Sequence, residues 1–163
     1  MDCATVGCES ATTGRSKYCP PHARAAREKW RQSMEDQKAE REERYERFRK
    51  IAVAADCAGR AAAEAKVPEP MTVVGQIGAD AGREYHVPAG VCGFAWVTIV
   101  PGTCSFAHYA KKHLGAQKPY RGGMQIWVSA YGQSYERKRA YAQAYAAVLK
   151  GEGIDCYSGG RLD

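Results

Sequence analysis

The sequence predicts an α/β fold, and three observations predict it. Cys3, Cys8, Cys19 and His22 form a C-x4-C-x10-C-x2-H array within the first 22 residues. A stretch dominated by Ala, Arg, Glu and Lys, without proline and with Gly59 as its one glycine, then runs from Ala23 to Lys66. After Val67-Pro68-Glu69-Pro70, β-branched and aromatic runs alternate with amphipathic ones in the order β-α-β-α-β. The expected chain is a small metal-bound knuckle (1–22), a long charged helix or stalk (23–66), a short linker (67–70) and a small βαβαβ domain of two or three layers (71–163).

The knuckle follows from ligand chemistry. A structural zinc site uses two pairs of N or S ligands on separate turns, bridged by a loop. The spacing supplies both pairs, and the segment between them, ESATTGRSKY, has no apolar run. Without a metal these residues have nothing to offset the entropy of ordering. The array therefore predicts one structural Zn2+ held by Cys3, Cys8, Cys19 and His22. The run CATVGCESATTGRSKYCPPHARAAREKWR also resembles small N-terminal zinc modules of bacteriophage proteins from actinobacterial hosts. In those a GC pair, a short polar loop, a C-x-x-H and a basic helix recur, often ahead of HNH nuclease domains. The resemblance implies the same four ligands and a phage setting. It implies no nuclease, because no HNH cassette follows.

Ala23 to Lys66 is built from strong helix formers. Glu40/Arg44, Glu43/Arg47 and Glu46/Lys50 are acid-to-base pairs four apart, in the orientation that supports an exposed helix. Trp30, Met34, Tyr45, Phe48, Ala52 and Ala55 fall on 3-4 spacing, but Lys38 and Arg41 interrupt the stripe, so it makes a poor coiled-coil seam. Two readings follow. In one, the helix is a solvated spacer whose second half, Tyr45 to Ala65, docks on the C-terminal body. In the other, it lies along a partner or pairs with a second copy as a homodimer. Arg24, Arg27 and Arg31 follow His22 directly and, with Arg15 and Lys17 of the knuckle, offer a basic patch to a phosphate backbone. Glu28, Glu35 and Asp36 dilute it.

Each proline of the linker pushes its predecessor toward extended backbone and ends the helix. Thr72 to Ile77 and Glu84 to Val87 read as two short strands around a glycine-rich loop. Phe94 to Val100 reads as a strand, Ser105 to Leu114 as a helix, Gly123 to Tyr131 as a strand, a helix follows Gln133-Ser134, and Ile154 to Tyr157 closes the set. That order implies parallel strands joined by crossovers. Ligands of such sheets sit at the strands' carboxyl ends, where both helix starts, near Thr103 and Ser105 and near Gln133 and Ser134, would offer N–H groups to a phosphate beside Arg137 and Lys138. Alternation puts Phe94 and Trp96 opposite Ala95, Val97 and Ile99, and Trp127 opposite Met124 and Ile126. Trp96 and Trp127 then share a face that stacks unpaired bases, or one that simply packs under the long helix or a partner. The run GFAWVTIVPG…YRGGMQIWVSAYGQSYERKRAYAQAYAAVLKGEGI…GGRLD resembles phage proteins with a GFAWV, GG-x-x-IWV and QS-x-x-RK skeleton. The resemblance implies a phage origin and no particular activity.

Charge suits an anionic partner. Lys and Arg outnumber Asp and Glu by 24 to 18, and the net charge is +6. The excess is shared, 14 basic to 11 acidic residues through Lys66 and 10 to 7 after it, so it is not a basic tail. The start MDCATVG lacks a cationic and an apolar signal region, which predicts a reducing, cytoplasmic setting in an infected host cell. No apolar run reaches the ~18 to 20 residues of a membrane span. Cys57, Cys92, Cys104 and Cys156 are then expected to be small buried hydrophobes. No P-loop, H-E-x-x-H or nucleophile triad spacing occurs, and the carboxylates after residue 66 are scattered. The expectation is a non-enzymatic phage accessory protein that binds DNA or RNA. The alternative is a protein-binding adaptor or inhibitor of a host or phage protein, acting through the long helix or the aromatic sheet face.

Overall fold

A computed structural model of the protein describes residues 2–12, 16–76 and 78–163. The chain forms two compact units, Met1–Glu46 and Arg47–Asp163. Helix α1, Pro20–Ala65, is 46 residues long, about 70 Å, and contributes residues to both. It starts three residues before the predicted Ala23, taking in His22. Pro20 and Pro21 tolerate the first turn because no N–H is needed there, and Ala23 N–H closes the turn on the Cys19 carbonyl at 2.8 Å.

In the second unit, β1 (Met71–Val74) and β2 (Glu84–Val87) form an antiparallel hairpin, Met71 opposite Val87. The predicted end of the first strand, Ile77, lies outside the described residues. A separate three-stranded sheet follows, from β3 (Gly93–Ile99), β4 (Met124–Trp127) and β5 (Cys156–Leu162), with α2 (Ser105–His113) and α3 (Tyr135–Gly151) between them. Its order is β4-β3-β5 and both pairings are antiparallel, not parallel as the element order implied. The reason is reach. Ile99, the last residue of β3, pairs with Met124, the first of β4, so the chain leaves and re-enters at one end of the sheet. Helix α2 spans only about 14 Å against about 23 Å for β3, and the return segment pairs Gln117 with Gln125 before β4 starts. Helix α3 is long enough to cross the sheet. It joins β4 to β5, which share a direction on either side of β3, a split βαβ arrangement.

Antiparallel order also removes the expected phosphate crevice. Helix α2 starts at the Ile99 end, whereas α3 starts beside Cys92, which bridges Ser134, at the Gly93 end. The caps differ from expectation as well. Cys104 Sγ accepts from Ala107 N–H at 3.3 Å, while Ser134, 2 % exposed, makes no side-chain cap bond. Of the cysteines expected to be buried, Cys156 is, Cys92 and Cys104 are half-buried, and Cys57 is exposed on α1. Strand β4 stops at Trp127, short of Tyr131, whose φ of 69° turns the chain away. Strand β5 runs on to Leu162, well past Tyr157.

A helical layer covers one sheet face. Ala95, Val97, Ile99 and Met124 are buried against it, with Phe106 and Ala110 of α2 and Ala142, Tyr145 and Leu149 of α3. The second half of α1 belongs to this layer through buried Ile51, Ala52, Ala55 and Ala63. Phe48 meets Phe106 edge-on at 5.3 Å between ring centres. Gly59 permits a close approach to α3, since a methyl there would meet the Tyr141 ring at 2.8 Å.

The same contact carries a polar tie. The Tyr141 hydroxyl donates to the Asp56 carboxylate, which also pairs with Arg60 at 2.7 Å. Burial opposes ionisation of Asp56, but the Tyr141 hydrogen bond and Arg60 outweigh it and hold the carboxyl below its ordinary range. Burial, then the bond to Asp56, pushes the Tyr141 phenol up. A carboxyl depressed on folding adds stability above its unfolded pKa of about 3.9, and that stability is lost as pH falls through the lower folded value. Asp56→Asn is therefore expected to cost about 1 kcal/mol at pH 7, reduced by partial exposure. The gap from wild type should close as the pH is lowered through the depressed folded value, as read by urea midpoints at pH 7 and in acid.

Candidate metal centre and nucleic-acid interface

The first unit is built around four side chains. Ala4 N–H bonds the Lys17 carbonyl at 2.9 Å, and Asp2 bridges Ala11, so the two ends of the knuckle are tied together. A turn closed by Cys8 N–H on the Thr5 carbonyl, with Gly7 at φ 79°, brings Cys8 back toward Cys3. Cys19 stands at the N-cap of α1 and His22 in its first turn, so the helix start presents the second ligand pair.

The donor atoms of Cys3, Cys8, Cys19 and His22 all lie within 4.8 Å of one another. Cys8 Sγ is 3.7 Å from Cys19 Sγ, and His22 Nδ1 is 3.2 Å from Cys19 Sγ and 3.4 Å from Cys3 Sγ. Cys3 Sγ also accepts the Cys19 N–H at 3.3 Å. The N–H groups of Cys19 and then Thr5 lower the Cys3 thiol to about 5. The His22 N–H draws Cys19 the same way, but burial and the neighbouring Cys8 and Cys3 sulfurs prevail and its net direction is up. One thiolate thus opposes the next, and a cation among them would relieve that opposition. Among the described residues, this is the group of Cys, His and carboxylate side chains placed to hold a metal ion.

Predicted phosphate contacts occupy the helix beyond this cluster. Lys17, Arg24, Arg27 and Arg31 are exposed, and Arg15 lies outside the described residues. At 3.6 residues per turn, Arg27, Arg31, Lys38, Arg41 and Arg44 share one half of α1 with Trp30 and Met34. Glu28, Glu35, Asp36, Glu40, Glu42, Glu43 and Glu46 all fall on the other half, with Arg24 at its border. The acids that dilute the patch along the sequence are therefore set to one side of it around the helix, and they meet it at the border, where Glu42 lies 3.8 Å from Lys38.

In the second unit, Trp96 and Trp127 are register partners with ring centres 5.0 Å apart. They lie on the sheet face away from the helices. Lys138 is 6 % exposed, donates to the Gly93 carbonyl at 3.1 Å and stands 5.5 Å from the centre of the Phe94 ring, so it fastens α3 to β3. Arg137 Nε donates to the Lys66 carbonyl at 3.3 Å, on the helix side. Sequence reasoning missed Tyr157 and Arg161, which β5 brings beside Thr98 and Phe94. An antiparallel register extended through Gly159 and Gly160 was the signal that would have found them.

The chain is a mixed α/β protein with a long helix and a three-cysteine, one-histidine cluster placed to hold a metal ion. Comparisons with protein-family models, with curated proteins and with solved structures find no match. Among the described residues no helix is long and apolar enough to cross a membrane.

Proposed function

We propose that this is a non-catalytic nucleic-acid-binding protein with one structural Zn2+, acting as a phage accessory protein in the cytoplasm of the infected cell. Zinc is favoured by the donor set and the edges. A tetrahedron with Zn–S of about 2.3 Å and Zn–N of about 2.05 Å has S···S edges near 3.8 Å and S···N edges near 3.5 Å, close to the separations here. The phage setting rests on the resemblance of the knuckle and of the C-terminal run to phage proteins.

The acid-free half of α1 carries the nucleic-acid reading. An exposed helix that gathers Arg27, Arg31, Lys38, Arg41 and Arg44 on one half, with Lys38 alone among them paired to an acid across the border (Glu42, 3.8 Å), presents a stripe of positive charge. Phosphates are the ligand such a field takes without demanding a sequence.

The test is a fluorescence titration of zinc-quantified protein against single-stranded and duplex DNA and RNA at two salt concentrations. The triple change Arg27→Ala, Arg31→Ala, Arg41→Ala is expected to weaken single strands and duplexes alike by about 10- to 100-fold. It should also flatten the salt slope by about two to three, near 0.7 to 0.9 for each phosphate no longer neutralised. Exposed Trp30 and Met34, 67 % and 47 % accessible, favour a protein partner as the second reading. Absence of binding at low salt, with one zinc per chain, would select it and reject the first.

A further inference from the structure

We propose that the open face of the β4-β3-β5 sheet is a stacking platform for the bases of single-stranded nucleic acid. The proposal rests on the nucleic-acid reading above and names the form of nucleic acid this face takes. The helical layer lies against Ala95, Val97, Ile99 and Met124, which leaves the opposite side chains of the sheet outward.

Register sets what that outward face contains. Trp96 stands between Trp127 and Gly159, Phe94 beside Arg161, and Thr98 between Gln125 and Tyr157. Four aromatic rings and a guanidinium thus share the face along the strands, and Val100, whose N–H bonds the Asp155 carbonyl at 2.8 Å, continues it past the Ile99 end. The rings are ordered by their neighbours. Phe94 meets Trp127 edge-on at 6.2 Å, Arg161 stands 5.4 Å from the centre of the Phe94 ring, and Gln125 Nε2 donates to Thr98 Oγ1 at 3.3 Å. Gly159 lets Trp96 lie low on the sheet, since a methyl there would meet the indole nitrogen at 2.6 Å. Trp127 and Tyr157 stay 44 % and 50 % exposed on the two outer strands, which lie about 9.5 Å apart. The result is a shallow aromatic floor between two raised rings.

A duplex cannot use such a floor, because its base faces are hidden within the stack. A single strand can splay neighbouring bases onto Trp127 and Tyr157 while Arg161 meets a phosphate or a base face. None of the outward positions of β3, β4 and β5 carries a carboxylate, so nothing on the strands themselves repels a phosphate backbone.

The experiment uses the full, zinc-loaded chain carrying Trp30→Phe, so that tryptophan emission reports the sheet. The probes are fluorescent oligo(dT), oligo(rU) and a blunt DNA duplex. Trp127→Ala and Tyr157→Ala are each expected to weaken the single strands by about 10-fold or more, leaving duplex affinity and the salt slope unchanged, and Tyr157→Phe should restore most of the loss. Oligo(dT) should quench the tryptophan emission, and Trp127→Ala should abolish the quenching. Unchanged single-strand affinity in both alanine variants would overturn the platform while the nucleic-acid reading stands. So would failure of Tyr157→Phe to restore binding, or a wild-type dimer that Trp127→Ala converts to monomer. A wild-type chain that binds none of the three probes rejects the broader reading, and this one with it.

Discussion

Stripping the metal with a strong chelator is expected to unfold the knuckle, residues 2–12 and 16–22, and leave the second unit folded. Within the first unit the only buried described residues are Cys3 and Cys19, and both are ligands in the proposed site. No apolar core would remain to hold the knuckle once the metal left. Structural zinc contributes about 10–16 kcal/mol of apparent binding free energy in comparable small modules, far more than any one side-chain interaction here. The exposed stretch of α1 that follows would lose its anchored first turn and fray from that end, since no tertiary packing holds it there. Far-UV circular dichroism should therefore fall on chelation. Hydrogen exchange should show weakened protection from Ala4 to about Arg44, with β3 and α3 unchanged, and Cys19→Ser should reproduce both results without chelator. Protection of the knuckle that survives chelation would show that the metal is dispensable.

The second large effect is expected from Leu149→Ala. Leu149 is 0 % exposed on α3, in the layer that covers β3 and β5. Truncating it leaves a cavity whose walls are a sheet and helices that cannot collapse together without disrupting the packing around Ala146 and Cys156. A loss of about 3 kcal/mol is expected, or about 10 °C in melting temperature, with one metal per chain retained. Leu149→Met, which nearly conserves volume, should cost about 1 kcal/mol or less. Equal losses from the two would mean that the site is not packed as described.

What could be read from the sequence was local. The four-ligand cluster follows from spacing within 22 residues, and α1 from composition, so both were legible before any packing was known. Strand alternation likewise placed Trp96 and Trp127 on one face. Whether that face was covered depended on where α1, α2 and α3 lie, which periodicity does not encode. Strand direction failed for a related reason. The order β-α-β fits a parallel crossover or an out-and-back excursion, and the length of α2 against β3 decides between them. Gly159 and Gly160 lie past the predicted strand end at Tyr157 and serve as floor space beneath Trp96 and Tyr135. With β5 cut short at Tyr157, Arg161 could not be placed. Charge segregation on α1 was hidden in the linear order, where Glu28, Glu35 and Asp36 lie among the arginines.

That segregation bears on self-association. If two copies of α1 met in parallel register through the acid-free half, Lys38 would face Lys38 and Arg41 would face Arg41, a seam of like charges in low-dielectric surroundings. The free protein therefore gains little from pairing there, and raising its concentration does not change the sign of the repulsion. A polyanion laid between two such helices reverses that sign. Any higher assembly through this face is then set by the ratio of polyanion to protein, rising to a maximum at charge balance and dissolving again on either side.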